Sequence, residues 1–240
     1  MDKKILRQYI KEILSEWELA NDKNLMLDQE GMEKSDRENV SRYLKSLGLL
    51  ESTTISVVPG DEYLFPVVPY PQIDSPEGIK DLNGVIIQYQ DRKVPESLQH
   101  FADRNMVKLF ESYLGEKGLT FNTQYYSKLK KGLVPLILEL KNFYARPRPS
   151  ETAAFLGINF TGDVLETAQS PSYPSGHTIQ AYVIAELLCE QFPEYASDLL
   201  GIAEIISQSR IDRGVHFPSD VEFGKEIAAV IVDEMKDGSL

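Results

Sequence analysis

The chain has 240 residues, of which 42% are apolar and 26% charged, and its net charge is −12. This length accommodates one sizeable domain with an appendage, or two small domains. The negative charge argues against nucleic acids and anionic membranes as partners, because both are polyanions that repel an acidic protein.

The sequence predicts neither a membrane span nor a secretion signal. A spanning helix needs roughly 18 consecutive apolar residues, and the best runs, residues 133–140 and 227–232, are too short. The first residues lack the apolar stretch and cleavage site of a signal peptide, and the single Cys189 has no partner for an internal disulfide. We therefore expect a cytoplasmic or otherwise intracellular protein.

Residues 1–50 are expected to form an N-terminal helical extension. Apolar residues recur at helical spacing over residues 3–19, and a second short helix is predicted over residues 37–47, before Gly48. These helices either dock on the rest of the chain or form a surface for a homo-oligomer or a partner protein.

Residues 51–94 have a different character. Residues 54–58 and 84–89 are rich in β-branched side chains, which favour strands. Prolines, which interrupt regular structure, are frequent between the two runs: Pro59, Pro66, Pro69, Pro71 and Pro76. We predict an irregular insert that contains a short hairpin or strand pair.

Residues 95–240 return to helical periodicity. Helices are predicted over residues 96–113, 125–144 (with a kink near Pro135), 178–191, 197–211 and 219–236. The fold class that follows is mainly α, a helical bundle preceded by the short irregular or β-containing segment.

Three short segments of this helical region combine cations, histidines and a carboxylate at fixed spacing. They are Lys141-x6-Arg148-Pro149, Pro174-Ser175-Gly176-His177 and Ser209-Arg210-x5-His216-x3-Asp220. Arginine and lysine bind phosphate groups, and a histidine oriented by a carboxylate can act as a nucleophile. The segments therefore predict one site that holds a phosphate group and attacks it.

The second segment is expected to begin a helix. Ser175 is a favourable N-cap, and Gly176 allows a ligand to approach the backbone closely. The unpaired N–H groups at a helix start attract anions, so this segment is predicted to bind phosphate. The alternative is an ordinary capped helix that follows a proline turn.

The third segment pairs a histidine with an acid. If residues 216–220 include a helix start, Asp220 lies about one turn from His216 and accepts the proton of its Nδ1. This contact fixes the tautomer and leaves Nε2 for nucleophilic attack. The alternative is a structural histidine capped by Asp220.

Taken together, the three segments resemble the type 2 phosphatidic acid phosphatase superfamily, which contains bacterial class A acid phosphatases, membrane lipid phosphatases and vanadium-dependent haloperoxidases. All three motifs are complete, and the resemblance covers roughly residues 95–240. It implies the helical bundle of the acid phosphatases and haloperoxidases. It also implies metal-independent hydrolysis of a small phosphate ester through a phosphohistidine intermediate. Class A acid phosphatases are usually exported, so the missing signal peptide departs from that pattern.

The resemblance also implies roles for individual residues. His216 is the implied nucleophile, His177 the acid that protonates the leaving group, and Asp220 the partner of His216. The implied phosphate-binding residues are Lys141, Arg148, Ser175, Gly176 and Arg210. Arg148 rather than Arg146 stands at the family's spacing from Lys141, so Arg146 is expected to form a salt bridge or to border the site.

Two other functions remain open. A vanadium-dependent haloperoxidase would hold vanadate on His216, whereas the phosphatase needs no cofactor. The sequence also predicts no metal site, because no group of His, Cys and Asp residues has the spacing of metal ligands. An assembly or interaction protein could carry the phosphatase domain and act through its N-terminal helix. Specificity is expected from the mouth of the site, from Tyr144, Tyr173 and the insert at residues 51–94.

Overall fold

The computed structural model describes residues 68–236. Within this range the chain forms eight α-helices and no β-strand: α1 (Pro76–Gln90), α2 (Glu96–Glu116), α3 (Thr123–Gly132), α4 (Val134–Tyr144), α5 (Pro149–Phe155), α6 (Gly176–Gln191), α7 (Ala196–Asp212) and α8 (Pro218–Lys236). The prediction of a mainly α fold is therefore confirmed for these residues. The helices predicted over residues 3–19 and 37–47 and the strand over residues 54–58 lie outside the described range. The division into segments 1–50, 51–94 and 95–240 stays a prediction.

The strand predicted over residues 84–89 is wrong, because these residues form the second half of α1. The hydroxyl of Ser75 caps this helix by accepting from the amide of Gly78 at 3.0 Å, and Pro76 suits the first turn. The preference of β-branched residues for strands depends strongly on context. Here a capped start and a buried helical face outweigh it.

The buried face of α1 repeats every three to four residues, as a helix requires. Its members are Gly78, Asp81, Leu82 and Val85. Leu82 and Val85 pack against Ala153 of α5 and against Phe217. Because the acidic Asp81 lies within this otherwise apolar stripe, the spacing of apolar residues alone does not show the helical period.

The helix predicted over residues 125–144 is divided into α3 and α4 at Leu133. Pro135 lies in the first turn of α4, where a proline is tolerated because its missing N–H has no partner there. The prediction of one helix kinked near Pro135 is therefore wrong, because the chain forms two helices that meet at Leu133. The short helix α5 was not predicted from the sequence. The amide of its N-cap residue Arg148 donates to Glu151 Oε2 at 2.7 Å.

Helix α6 packs against α7 and α8 and also contacts α2, α3 and α4. Fully buried aliphatic residues line these contacts: Val183, Ile184 and Leu188 of α6, Leu199 and Ile206 of α7, and Ile227 and Ile231 of α8. Burial contributes roughly 25 cal/mol per Å² of apolar surface, so this core stabilises the packing of these helices. None of the helices between residues 68 and 236 combines the length and apolar character that crossing a bilayer demands.

The motif residues lie at the ends of these helices. Lys141 is in the last turn of α4, Arg148 caps α5, His177 is in the first turn of α6, Arg210 is in the last turn of α7, and Asp220 is in the first turn of α8. Helix ends carry backbone groups without a partner in the helix, which makes them suitable places for polar ligands.

The buried side chain of Arg146 joins α1 to α8. Its guanidinium donates to Asp81 Oδ2 at 2.8 Å and to Asp220 Oδ1 at 2.6 Å, and its Cζ lies 3.7 Å from the ring centroid of Phe217. The salt bridge expected for Arg146 is confirmed. Both carboxylates are buried, and each depends on such a partner because an unpaired charge is costly in a protein interior.

Arg146→Met is expected to lower the free energy of unfolding by about 3 kcal/mol, because it removes the partner that two buried carboxylates share. The matched control is Arg104→Met, which removes an exposed ion pair with Glu166 and should cost less than about 1 kcal/mol. Urea unfolding followed by circular dichroism measures both variants. Equal losses in the two would show that Arg146 does not hold the helices together.

Candidate active site

The side chains of His216 and Asp220 form a hydrogen-bonded pair. His216 Nδ1 lies 3.0 Å from Asp220 Oδ2, and both residues are buried. The same carboxylate oxygen accepts from the amide of Phe217 at 2.9 Å and from the hydroxyl of Ser172. Because a carboxylate only accepts, Nδ1 carries the proton and Nε2 the lone pair. The contact predicted between these two side chains is confirmed.

Arg148 lies against the other nitrogen of the same imidazole. Its Nη1 is 3.0 Å from His216 Nε2 and donates to the carbonyl oxygen of Val215 at 2.6 Å. Its Nε donates to the carbonyl oxygen of Ser170 at 2.8 Å. A guanidinium has five N–H donors, and among the described residues the two on Nη2 have no acceptor. They are left for a ligand beside Nε2.

Lys141 is buried, and its Nζ donates to the carbonyl oxygens of Pro171 at 2.7 Å and Ser172 at 3.1 Å. An ammonium group has three donors, so one is left after these bonds. Burial and the charge of Arg148 lower the pKa of Lys141 well below its usual value, and burial lowers that of Arg148 to about 10. Lys141 and Arg148 are both held in place by backbone carbonyl groups. An anion bound between these two cations would reduce the repulsion between their charges.

Helix α6 begins beside these cations. Ser175 Oγ accepts from the amide of Thr178 at 3.4 Å, so the predicted N-cap is confirmed. The amides of Gly176 and His177 come too early in the helix to reach a carbonyl within it, and they remain available as donors. A Cβ at Gly176 would lie 2.9 Å from Ile137 Cγ2, so a larger residue would push α4 away from this helix start.

Asp103 of α2 joins the two remaining motif residues. Its Oδ1 accepts from Arg210 Nη1 and lies 3.2 Å from His177 Nε2, and its carbonyl oxygen lies 3.0 Å from the same nitrogen. Burial acts to raise the pKa of this carboxyl, but the hydrogen bond with His177 and the charge of Arg210 hold the pKa below its usual range. Asp103 is therefore a charged carboxylate.

The partners of His177 define its protonation. Both groups near Nε2 are oxygens of Asp103 that accept, so Nε2 carries a proton and Nδ1 is left for a ligand. Burial and the charge of Arg210 lower the pKa of His177 to about 4, although Asp103 opposes this shift. Burial and the charge of Arg148 lower the pKa of His216 well below its usual value. Both imidazoles are therefore neutral at neutral pH.

Arg210 is completely buried. Its Nη1 binds Asp103 and its Nη2 donates to Thr167 Oγ1 at 3.2 Å, but its Nε has no acceptor within residues 68–236. A buried donor without an acceptor is costly. A phosphate oxygen would satisfy it, because a guanidinium binds phosphate through several N–H groups at once.

Asp103 belongs to no motif, yet the sequence contains a signal for it. It occupies a position within the buried stripe of α2, which consists of Gln99, Ala102, Asp103, Met106, Val107, Phe110 and Leu114. A carboxylate in such a stripe needs a buried partner. Asp81 gives the same signal in α1, and its partner is Arg146.

Tyr173, expected at the mouth of the site, lies in the interior instead. Its side chain is 2% exposed, stacks on Phe223 with ring centroids 4.7 Å apart, and donates its hydroxyl to the carbonyl oxygen of Val68 at 3.0 Å. Tyr144 packs against the same ring, edge to face, at 4.9 Å. The expectation that Tyr173 selects the substrate is therefore wrong, because its ring is used for packing.

The chain is similar to known proteins over part of its length. The model of the PAP2 superfamily matches residues 126–233. A non-specific acid phosphatase of Salmonella typhimurium is 30% identical over 135 residues, 52% of either chain. A non-specific acid phosphatase of Providencia stuartii is 35% identical over 91 residues, 37% of this chain and 36% of that protein. An acid phosphatase of Zymomonas mobilis is 41% identical over 58 residues, 24% of this chain and 22% of that protein.

The chain spans about half the length of the curated relatives it matches first. Its helical fold, its three motifs and the match to the family model coincide in the same stretch of sequence. Residues 126–233 of this chain are similar to the PAP2 superfamily.

Proposed function

We propose that this protein is a phosphatase that hydrolyses phosphate monoesters through a phosphohistidine intermediate, without a metal ion. The observation that carries the proposal is the surroundings of His216, whose Nδ1 is held by Asp220 and whose lone pair on Nε2 lies beside a cationic cluster. This cationic cluster consists of Lys141, Arg148 and Arg210, and all three lower the pKa of His216. The acid phosphatases among the relatives support the same activity.

In the first step, His216 Nε2 attacks phosphorus and the bond between phosphorus and the ester oxygen breaks. Asp220 assists because it stabilises the positive charge that develops on the ring. His177 acts as the general acid: when protonated, its Nδ1 gives a proton to the departing alkoxide while Nε2 stays bound to Asp103. Attack in line with departure places the two histidines on opposite sides of phosphorus.

In the second step, water hydrolyses the phosphohistidine. His177 is now neutral and accepts a proton from the water through Nδ1 as the water oxygen attacks phosphorus. The bond between phosphorus and His216 Nε2 breaks, and inorganic phosphate is released. His216 returns to its neutral form with the proton on Nδ1.

The negative charge on the other phosphate oxygens is stabilised by fixed donors. These are the cationic cluster, the hydroxyl of Ser175 and the amide of Gly176. Lys141 and Arg148 are already held in place by carbonyl oxygens, so they need little reorganisation when the transition state forms. Each preorganised donor of this kind contributes about 3 kcal/mol to lowering the barrier.

His216→Ala is expected to lower the rate of phosphate release by at least about 10⁴-fold, because the variant has lost the atom that forms the covalent intermediate. His100→Ala is the matched control, since it removes an exposed histidine paired with Glu96, and its rate should stay within about twofold of native. Acid quenching during turnover of a radiolabelled ester should trap label on histidine in the native protein alone. A fully active His216→Ala variant would rule out this mechanism.

Chelation of metal ions is expected to leave phosphate release unchanged, because lysine and arginine side chains supply the positive charge at the site. Vanadate should inhibit competitively, since its five-coordinate form resembles the transition state of phosphoryl transfer and binds the same cations. The measurements are initial rates with and without EDTA, and an inhibition series in vanadate. Loss of activity that added Mg²⁺ restores would contradict the proposal. Bromide oxidation by vanadate-loaded protein that releases no phosphate would favour the haloperoxidase instead.

The rate should be greatest at roughly pH 5–6.5, because the general acid His177 must be protonated in the first step and the negative charge of the bound phosphate raises its pKa above the value of about 4 in the free site. Asp103 stabilises the protonated imidazole and so raises its pKa. Asp103→Asn should therefore lower that pKa and move the alkaline limb of kcat to lower pH by about one unit. Asp198→Asn, the same change at an exposed position on α7, is the control and should leave the limb in place. A shift to higher pH, or no shift, would exclude Asp103 as the residue that tunes His177.

A further inference from the structure

The segment between α5 and α6 is held in place by contacts on both sides of Thr167. At its start, Asp163 Oδ2 accepts from Arg213 Nε at 3.0 Å. Near its end, the carbonyl oxygen of Ser170 accepts from Arg148 Nε at 2.8 Å. Thr167 lies between these two contacts, in a short 3₁₀ turn, and its side chain takes part in neither of them.

The hydroxyl of Thr167 connects two charged residues of the site. It donates to Asp103 Oδ1 at 2.7 Å and accepts from Arg210 Nη2 at 3.2 Å. Both directions are determined, because a carboxylate only accepts and a guanidinium only donates, whereas a hydroxyl does both. Thr167 is exposed, but Asp103 and Arg210 are buried. A surface side chain therefore contacts a buried ion pair through a single oxygen atom.

These contacts hold the guanidinium of Arg210 at two points. Its Nη1 binds Asp103 and its Nη2 binds Thr167, so the group cannot turn about either contact alone. Its Nε has no acceptor among residues 68–236, which leaves this N–H for a phosphate oxygen. The orientation of that N–H therefore depends on both contacts.

The carboxylate that holds Arg210 is shared with a second residue. Asp103 Oδ1 also lies 3.2 Å from Nε2 of His177, the proposed general acid, which gains and loses a proton in the proposed reaction. A protonated imidazole attracts a carboxylate more strongly than a neutral one does. The contact between Asp103 and Arg210 therefore changes in strength during the reaction, whereas the hydroxyl of Thr167 stays neutral throughout.

We propose that Thr167 is a positioning residue, whose hydroxyl fixes the guanidinium of Arg210 in the orientation that binds the transferred phosphate. The inference rests on the proposed function, because that function assigns to Arg210 the stabilisation of charge on the phosphate oxygens. Donors lower the barrier most when they need not reorient as this charge develops. Loss of the hydroxyl leaves Nη2 without its acceptor and the guanidinium held by Asp103.

Thr167→Val tests this role, because valine keeps the branched shape of threonine and lacks the hydroxyl. We expect kcat for p-nitrophenyl phosphate to fall about tenfold with KM within about twofold, since the donor acts mainly in the transition state. Thr167→Ser should keep kcat within about threefold of native, because serine offers the same donor and acceptor. The matched control is Thr161→Val, the same change at an exposed threonine of the same segment, which should leave both constants within about twofold.

A double substitution shows whether Thr167 acts through Arg210. Arg210→Lys keeps the positive charge but has no planar group for Thr167 to orient. Adding Thr167→Val to that variant should lower kcat by less than about twofold, because residues that act as a unit are not additive. The same loss in both backgrounds would refute a role through Arg210.

The possible results separate this inference from the proposed function. An unchanged kcat in Thr167→Val, a rise in KM alone, or an equal loss in Thr167→Ser or Thr161→Val would refute the role of Thr167 while leaving the phosphatase intact. Failure of the native protein to release phosphate from p-nitrophenyl phosphate would refute the proposed function, and the inference with it. A loss of kcat confined to Thr167→Val, with an unchanged KM showing that the site is folded, supports the inference.

Discussion

The buried carboxylate of Asp220 accepts from four described groups that come from different parts of the chain. They are His216 Nδ1, the amide of Phe217, the hydroxyl of Ser172 and the guanidinium of Arg146. A buried carboxylate is tolerated only when donors compensate for the water it has lost. This requirement ties the start of α8, the loop before α6 and the segment after α4 to one point. The proposed nucleophile is oriented at that same point.

A second buried carboxylate, Asp103, has a parallel relation to the other imidazole. Asp220 accepts from Nδ1 of His216 and leaves Nε2 as a lone pair, whereas Asp103 accepts from Nε2 of His177 and leaves Nδ1. The two histidines therefore present opposite nitrogens to a ligand, which suits a nucleophile and an acid that act on one phosphorus atom. The cationic cluster lies near His216 in a chain of net charge −12. Its lysine and one of its arginines are held by neutral carbonyl groups, so their charge is not cancelled.

Much of the site was predictable because its determining contacts are local. The N-cap at Ser175 and the pairing of His216 with Asp220 each involve residues within four positions of one another. When two residues are this close in sequence, the geometry of the helix or its cap determines their contact, independently of how the helices pack. The strand predicted over residues 84–89 was wrong for a related reason, since a local β-branched run was given more weight than the capped helix that contains it.

The sequence by itself determined the family signature, the helical class of the domain and the pair formed by His216 and Asp220. Only the tertiary structure revealed Asp103 beside Arg210, 107 positions away, and Asp81 beside Arg146, 65 positions away. The physical reason is that an ion pair between helices depends on how all the helices pack, and spacing along one helix does not record it. A charged residue within an apolar helical stripe signals that a partner exists, but the packing of α2 on α7, and of α1 near the start of α8, decides which residue it is.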